Sequence, residues 1–436
     1  MAVTGPRSIQ IDASSHCQLA CPVCPTADGR TRGVLGAGHL KVADFEALLD
    51  GNPELAEVEL SNYGEMFLNP RLPELLEAAY RRKVVVSGNN GVNLNFAREE
   101  ALEAVVRYRV RALTCSIDGA TQGTYSQYRR NGNIDKVLSH IDHILEYKRR
   151  YRTAFPILYW QFVVFGHNEH ELEKARAMAA ERGMEFVSRL SWDPDYSPIV
   201  NRELVRIQTG LGAATRDEFK EKKGTEYTRD ICYQLWHAPA VNWDGKLLGC
   251  CVNYWGDFGS NVFTDGLANS AASPKMQRAR AMLTGMEPAA HEIPCTTCEQ
   301  FTKLRDSGQW LTEAEIESHA RPKYIMSLMP VACDRTRFAQ IAAIKADGAT
   351  PSFGVSGRIF RFGIDSALFC SVPGPGEYRA EARALTHHGW RRLTFPFTVQ
   401  ERPVCQELVM DLETCLPAAR EKAGHATNSW LPSWIC

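Results

Sequence analysis

Three thiols fall at a C-x3-C-x2-C spacing in His16-Cys17-Gln18-Leu19-Ala20-Cys21-Pro22-Val23-Cys24-Pro25. On one tight loop, three thiolates can hold three irons of a [4Fe-4S] cluster and leave the fourth iron open, whereas a closed electron-transfer cluster takes a fourth cysteine. Zinc would need four protein ligands, and apart from the adjacent His16 no Cys or His follows at a finger-like distance. A disulfide framework fits a long chain poorly when its 14 Cys lack small-domain spacing and its start lacks an apolar signal segment. The thiols therefore read as metal ligands in a reducing, cytoplasmic setting.

Cys232, Cys250, Cys295 and Cys298 form a second set, and four cysteines complete a closed cluster. Asn242-Trp243-Asp244-Gly245-Lys246-Leu247-Leu248-Gly249-Cys250 reads as a β-hairpin with an Asp-Gly turn that delivers one of them. Cys251 competes with Cys250 as the ligand, or is a spare buried thiol. Cys333, Cys370, Cys405, Cys415 and Cys436 have no cluster spacing and read as small buried apolar residues.

Positioning these thiols requires a scaffold, and the first 190 or so residues alternate strand-like and helix-like segments. Strands are expected at Ile9 to Ala13, Glu57 to Leu60, Val84 to Ser87, Ala112 to Ile117, Ile157 to Val164 and Glu185 to Leu190. Helices are expected at Ala43 to Leu49, Leu72 to Arg81, Arg98 to Arg107, Ile134 to Arg149 and Glu169 to Arg182. Such alternation implies a parallel sheet with helices outside, an α/β fold whose strand count suits an open, partial (β/α)6 barrel. Its site lies at the carboxyl ends of the strands, where the first cysteine loop falls.

With this context the chain resembles the radical S-adenosylmethionine (SAM) superfamily from about Ile9 to about Phe301, in its SPASM and twitch subgroup. The resemblance implies that the open iron chelates SAM and that a 5'-deoxyadenosyl radical removes a substrate hydrogen. Gly64 and Glu65, in Ser61-Asn62-Tyr63-Gly64-Glu65, resemble the motif that meets the SAM amino group. Ser116 and Asp118 resemble the ribose-contacting segment, Arg129 the arginine facing the SAM carboxylate, and Asn90 an asparagine near SAM or substrate. Gln161 and Asn168 are further polar candidates, and Val23 stands where many members carry an aromatic residue. The Gly-x4-Cys run ending at Cys250 looks like the entry to a SPASM domain, but the later cysteines of a full one are missing after Cys298. The resemblance thus implies two [4Fe-4S] clusters and SAM as cofactors, reduced by a flavodoxin- or ferredoxin-type partner.

The cysteine pattern is similar to that of aminocyclitol-oxidising members with one auxiliary cluster. That implies dehydrogenation: loss of hydrogen from a carbinol carbon, proton removal by a base, and electron transfer to the second cluster. An epimerase of a sugar or peptide is the alternative, with Cys251 or Cys115 returning hydrogen to the substrate. Peptide cross-linking is a third reading, weakened because such enzymes often carry a leader-binding domain before the barrel and the first strand here begins at Ile9. A bare iron-sulfur electron carrier would need neither SAM segments nor a barrel.

A formal net charge of −1, from 50 basic and 51 acidic residues, supplies no general field for nucleic acid, and no apolar stretch is long enough for a membrane span. The expected organisation is a barrel over residues 1–195, an auxiliary-cluster domain over 196–320 and a β-rich extension over 321–436. Within the extension, strands are expected at Gly357 to Phe362, Ala367 to Val372, Tyr378 to Leu385 and Arg391 to Val399, then a helix from Val404 to Lys422. Trp192, Asp193, Asp195 and Tyr196 fall at the mouth of the barrel, where a hydroxylated small molecule or peptide would enter.

Overall fold

A computed structural model describes residues 5–320 and, beyond them, 324–331, 337–345, 353–355, 360–361, 368–372, 374–386 and 389–411. In β1 (Ser8–Ile11), Ile9 and Ile11 enter the apolar core while Ser8 and Gln10 line a cavity on the opposite side, as the two-residue period of a strand requires. β2 (Glu57–Glu59), β3 (Val85–Val92), β4 (Ala112–Ser116), β5 (Ile157–Val164) and β6 (Glu185–Leu190) follow in parallel and in chain order across the sheet. Helices cover the apolar side. Leu72–Arg81 buries Leu72, Leu75, Leu76 and Ala79, one helical face, and starts with Pro73, whose missing amide costs nothing there. Ile134–Tyr151 is capped by the Asn133 side chain, which accepts from the Lys136 amide.

β3 runs five residues further than its apolar part predicts. Its Ser-Gly-Asn-Asn stretch looks like a turn, but the Glu59 carboxylate accepts from the Asn89 amide (2.8 Å) and the Ser61 hydroxyl accepts from the Asn90 amide (3.0 Å). Polar groups of β2 therefore hold the extension in the sheet. The helix expected from Glu169 begins as a 3-10 turn, Glu169–Glu171, before Leu172–Glu181.

The sheet departs most from expectation beside β1. β7 (Ala240–Val241) pairs in parallel with β1, Gln10 opposite Ala240 and Ile11 opposite Val241, and β8 (Leu247–Gly249) returns antiparallel to it. The expected hairpin exists, but it extends the barrel's own sheet, in the order β6-β5-β4-β3-β2-β1-β7-β8. The segment 196–320 is thus continuous with the barrel at this edge. Gln10, Glu57, Glu59, Ser87, Asn89 and Gln234 line one cavity on the inner face of the sheet, a polar lumen. At its base Arg111 pairs with Glu57, their side chains 3% and 5% exposed.

Past residue 320 the described strands form two small sheets, and Leu368–Val372, Gly376–Thr386 and Gly389–Val399 match the expected positions. Cys405–Asp411 is a strand parallel to Tyr324–Val331, where a helix was expected. Its backbone finds ladder partners along all of Ile325 to Val331, which overrides local helical preference. Residues 412–422 of that expected helix, Gly357 to Ile359 and Phe362, and Cys333, Cys415 and Cys436 lie outside the described residues. Glu407 accepts from the Thr153 hydroxyl (2.6 Å) and the Ala154 amide (3.0 Å) and pairs with Arg109, joining the extension to the loop before β5. Among the described residues no helix is long and apolar enough to cross a membrane.

Candidate metal and cofactor site

The loop carrying Cys17, Cys21 and Cys24 leaves the carboxyl end of β1 and is fastened to its neighbours by backbone. The Glu65 amide donates to the His16 carbonyl (2.7 Å) and the Ala20 amide to the Arg130 carbonyl (3.1 Å). Gly64 is required by this packing, because a Cβ there would lie 1.6 Å from the Ser14 carbonyl oxygen.

Side chains from distant strands reach the sulfurs. Asn93 Nδ2 donates to Cys17 Sγ (3.8 Å), and Asn93 is itself held by Gln18 and by its own amide donating to Glu65 (2.7 Å). Arg129 Nη1 donates to Cys21 Sγ (3.9 Å) while its Nε donates to Asp118 (2.6 Å). Burial, the Glu65 carboxylate and the other two thiols push the Cys17 thiol up to about 12, and burial also raises Cys21, opposed by Arg129. An iron ligand must be a thiolate, so iron binding at Cys17 and Cys21 would release protons.

Several expected contacts are used inside the protein instead. Asp118 is fully buried, one oxygen accepting from Arg129 and the other from the Val163 amide (2.7 Å), so in this structure it orients Arg129. Glu65 accepts from the Phe67 and Asn93 amides, and burial raises its carboxyl to about 7. It supports the cysteine loop from beneath. Asn90 lines the lumen and donates to Asn62 (2.7 Å). The Ser116 hydroxyl faces Gly91, where a Cβ would sit 2.7 Å away. Cys115 lies with Leu113 and Ile117 in the apolar core, on the face of β4 opposite Ser116, so it does not reach the lumen as a hydrogen donor. Asn168 ties Asp118 and Val163 backbone carbonyls together and is a structural polar group. Trp192 and Tyr196 join an aromatic group with Tyr128 and Phe165 that packs beside Cys21 and Val23.

Two residues of this region were not singled out by the sequence. Asp12, next beyond β1, lies against the Tyr63 and Gly64 amides and the Asn62 side chain; its Oδ1 has no partner, and burial raises its carboxyl to about 7. By alternation from Gln10 it belongs to the lumen side. Tyr63 donates its hydroxyl to the Val252 carbonyl (2.6 Å) and accepts from the Thr26 hydroxyl at its own carbonyl (2.8 Å). An acidic residue ending an otherwise apolar strand was the available signal for Asp12; for Tyr63 there was none.

Cys232, Cys250, Cys295 and Cys298 come together, close enough for each of the other three to raise the Cys232 thiol. Backbone amides lie beside their sulfurs and favour the thiolate form, those of Val252 and Asn253 at Cys250 and those of Gln300 and Phe301 at Cys298, while the Asn253 amide itself donates to the Cys250 carbonyl (3.3 Å). Cys251 is buried beside them, its amide donating to Gln234 Oε1 (2.7 Å). Among the described residues no three His, Cys, Asp or Glu groups are gathered around one point as a single ion requires. A [4Fe-4S] cluster spreads its thiolates over separate irons, and amide donors to sulfur are the groups that tune such clusters. Both thiol sets fit that donor chemistry.

No family model matches the sequence, and no curated protein matches it. Among solved structures, SuiB of Streptococcus suis bound to S-adenosylmethionine aligns with a TM-score of 0.50 and 13% identity over 68% of this chain and 72% of its own. BtrN in complex with AdoMet and 2-DOIA aligns over 67% of this chain and 92% of its own, with a TM-score of 0.41 and 14% identity. Methylornithine synthase (PylB) aligns over 66% and 85%, with a TM-score of 0.37 and 13% identity. The likeness to SuiB establishes a shared mixed α/β fold around a parallel sheet.

Proposed function

We propose that the chain is a radical SAM enzyme that oxidises a carbinol of a small hydroxylated molecule, a sugar or an aminocyclitol. The observation that carries this reading is the presence of two different thiol sets, one of three and one of four, whose loops are joined through Tyr63 on a barrel with a polar lumen. When bound, a cluster with an open iron and SAM supply a 5'-deoxyadenosyl radical, and a second, closed cluster supplies a place for the surplus electron.

The chain's own residues do the rest. Cys17, Cys21 and Cys24 hold the first cluster, with Asn93 and Arg129 fixing two of the sulfurs. Asn89, whose Oδ1 has no partner, would accept from a substrate hydroxyl, and an apolar guest would leave that oxygen unsatisfied. Asp12, with one unpartnered oxygen and a carboxyl that titrates near neutrality, takes the hydroxyl proton. Cys232, Cys250, Cys295 and Cys298 hold the second cluster.

The test is SAM-dependent release of 5'-deoxyadenosine by anaerobically reconstituted protein given carbinol-deuterated sugars and aminocyclitols. Deuterium in the 5'-deoxyadenosine and a product lighter by two hydrogens support the reading. Solvent deuterium in a product of unchanged formula would assign epimerisation instead, and no 5'-deoxyadenosine in the presence of reductant would remove the radical SAM reading.

A further inference from the structure

Tyr63 joins the two thiol sets. Its backbone belongs to the loop after β2, where its amide reaches Asp12 and its carbonyl accepts from Thr26, two residues beyond Cys24. Its hydroxyl spans to the Val252 carbonyl, two residues beyond Cys250, and its ring meets Tyr254 edge-on at 5.5 Å. Tyr254 in turn accepts from Arg30, on the helix that follows the first cysteine loop.

The segment that Tyr63 grips is the one that serves Cys250. The Asn253 amide donates to the Cys250 carbonyl (3.3 Å), closing the turn that follows the ligand, and the Val252 and Asn253 amides lie beside the Cys250 sulfur, where they favour the thiolate. A peptide group is planar, so fixing the Val252 carbonyl orients the Asn253 amide that shares its plane. A lumen-side chain holds the preceding peptide: the Cys251 amide donates to Gln234, Gln234 to Gln10 (3.0 Å) and Gln10 to the Ser61 carbonyl (2.7 Å). Of these ties, Tyr63 is the one whose other end reaches the loop of the first thiol set.

We propose that Tyr63 is a positioning residue for the second cluster: its hydroxyl, through the Val252 peptide, aims amide donors at Cys250, raises that cluster's reduction potential and fixes its place relative to the first cysteine loop. This rests on the two-cluster reading above. Hydrogen bonds to ligand sulfur stabilise the reduced, more negative cluster, so a loosened Asn253 amide makes the second cluster a weaker electron acceptor.

The test compares wild type, Tyr63→Phe and Thr26→Val, each reconstituted anaerobically, by iron content and by redox titration of each cluster followed by electron paramagnetic resonance. Tyr63→Phe keeps the ring and removes the hydroxyl. It is expected to retain about eight irons, to leave the first cluster's potential unchanged, and to weaken electron acceptance by the second roughly tenfold, about 59 mV for one electron. Thr26→Val loosens the other end of the same tie and is expected to shift the second cluster in the same direction by less, which reads the coupling even if Tyr63→Phe loads poorly. Full iron content with an unchanged second potential in both variants overturns the inference alone. A wild type with about four irons overturns the two-cluster reading and this inference with it.

Discussion

The two thiol sets are built on opposite plans. Cys17, Cys21 and Cys24 sit on one short loop, and the groups that meet their sulfurs are side chains from elsewhere: Asn93 at the end of β3 and Arg129 after β4. Cys232, Cys250 and the Cys295–Cys298 pair come from three separate segments, and backbone amides of their own loops lie beside Cys250 and Cys298. A site served by side chains can be altered by single substitutions without moving the chain. A site served by amides responds only when the backbone is released, which is why a distant tyrosine matters to it.

The two plans separate most clearly when one thiol is removed from each set. Cys17→Ala is expected to abolish 5'-deoxyadenosine formation. Cys295→Ala is expected to keep it while losing about four irons and all oxidised product. Equal loss of SAM cleavage in both would mean that the sets are not functionally separate.

Next in size is the buried pair that orients Arg129. Arg129→Met leaves the Asp118 carboxylate, whose side chain is fully buried, without its cation, and stripping one partner from a buried pair costs about 3–5 kcal/mol. Urea unfolding would read it, and Arg129→Met/Asp118→Asn should regain part of the loss; a change under about 1 kcal/mol in the single variant would show the pair to be solvated.

Asp12 should be visible in the pH dependence of stability of the metal-free protein. Its carboxyl rises from 3.8 to about 7 on burial, so between those values the folded chain binds more protons than the unfolded one. Stability is then full at low pH and is lost as pH rises through that window, by roughly 2–4 kcal/mol from this group. Asp12→Asn is expected to flatten the decline, leaving the part that Glu65, also raised to about 7, contributes; an unchanged slope would remove Asp12 as the titrating group.

The smallest effect expected is that of Gln18→Leu. It removes the group that donates to the Asn93 side chain and so loosens the donor that meets Cys17. The net value of one such bond is about 1 kcal/mol, and the readout is a shifted spectrum and potential of the first cluster with the second unmoved.

Local sequence carried much of this. The periodicity of Leu72–Arg81 and the β-branched run Ile157–Val164 fall where the pattern puts them, because each buries one face and needs no distant partner to declare itself. The cysteine loops are legible for a similar reason, since spacing along the chain constrains spacing in space. What stayed hidden is set by long-range contacts. Nothing near Asp118 says that Val163 and Arg129 will use both its oxygens, nothing near Tyr63 mentions Val252, and the strand at Cys405–Asp411 exists through its ladder with Tyr324–Val331. The hairpin at β7 and β8 was foreseen from its turn, but its attachment to β1 was not, because a two-residue strand carries too little pattern to name its neighbour.

That attachment also sets a timetable. On a ribosome β1 emerges long before β7, so one of its two ladders must wait for Ala240 and Val241. Until then its edge stands open beside β2, offering unpaired donors and acceptors to any passing strand. The cysteine loop that hangs from β1 leaves the exit tunnel equally early. Assembly is therefore paced by a closure that joins Gln10 to Ala240, and the slow phase of folding is expected at the formation of this edge, after the helices on the outer face have already packed.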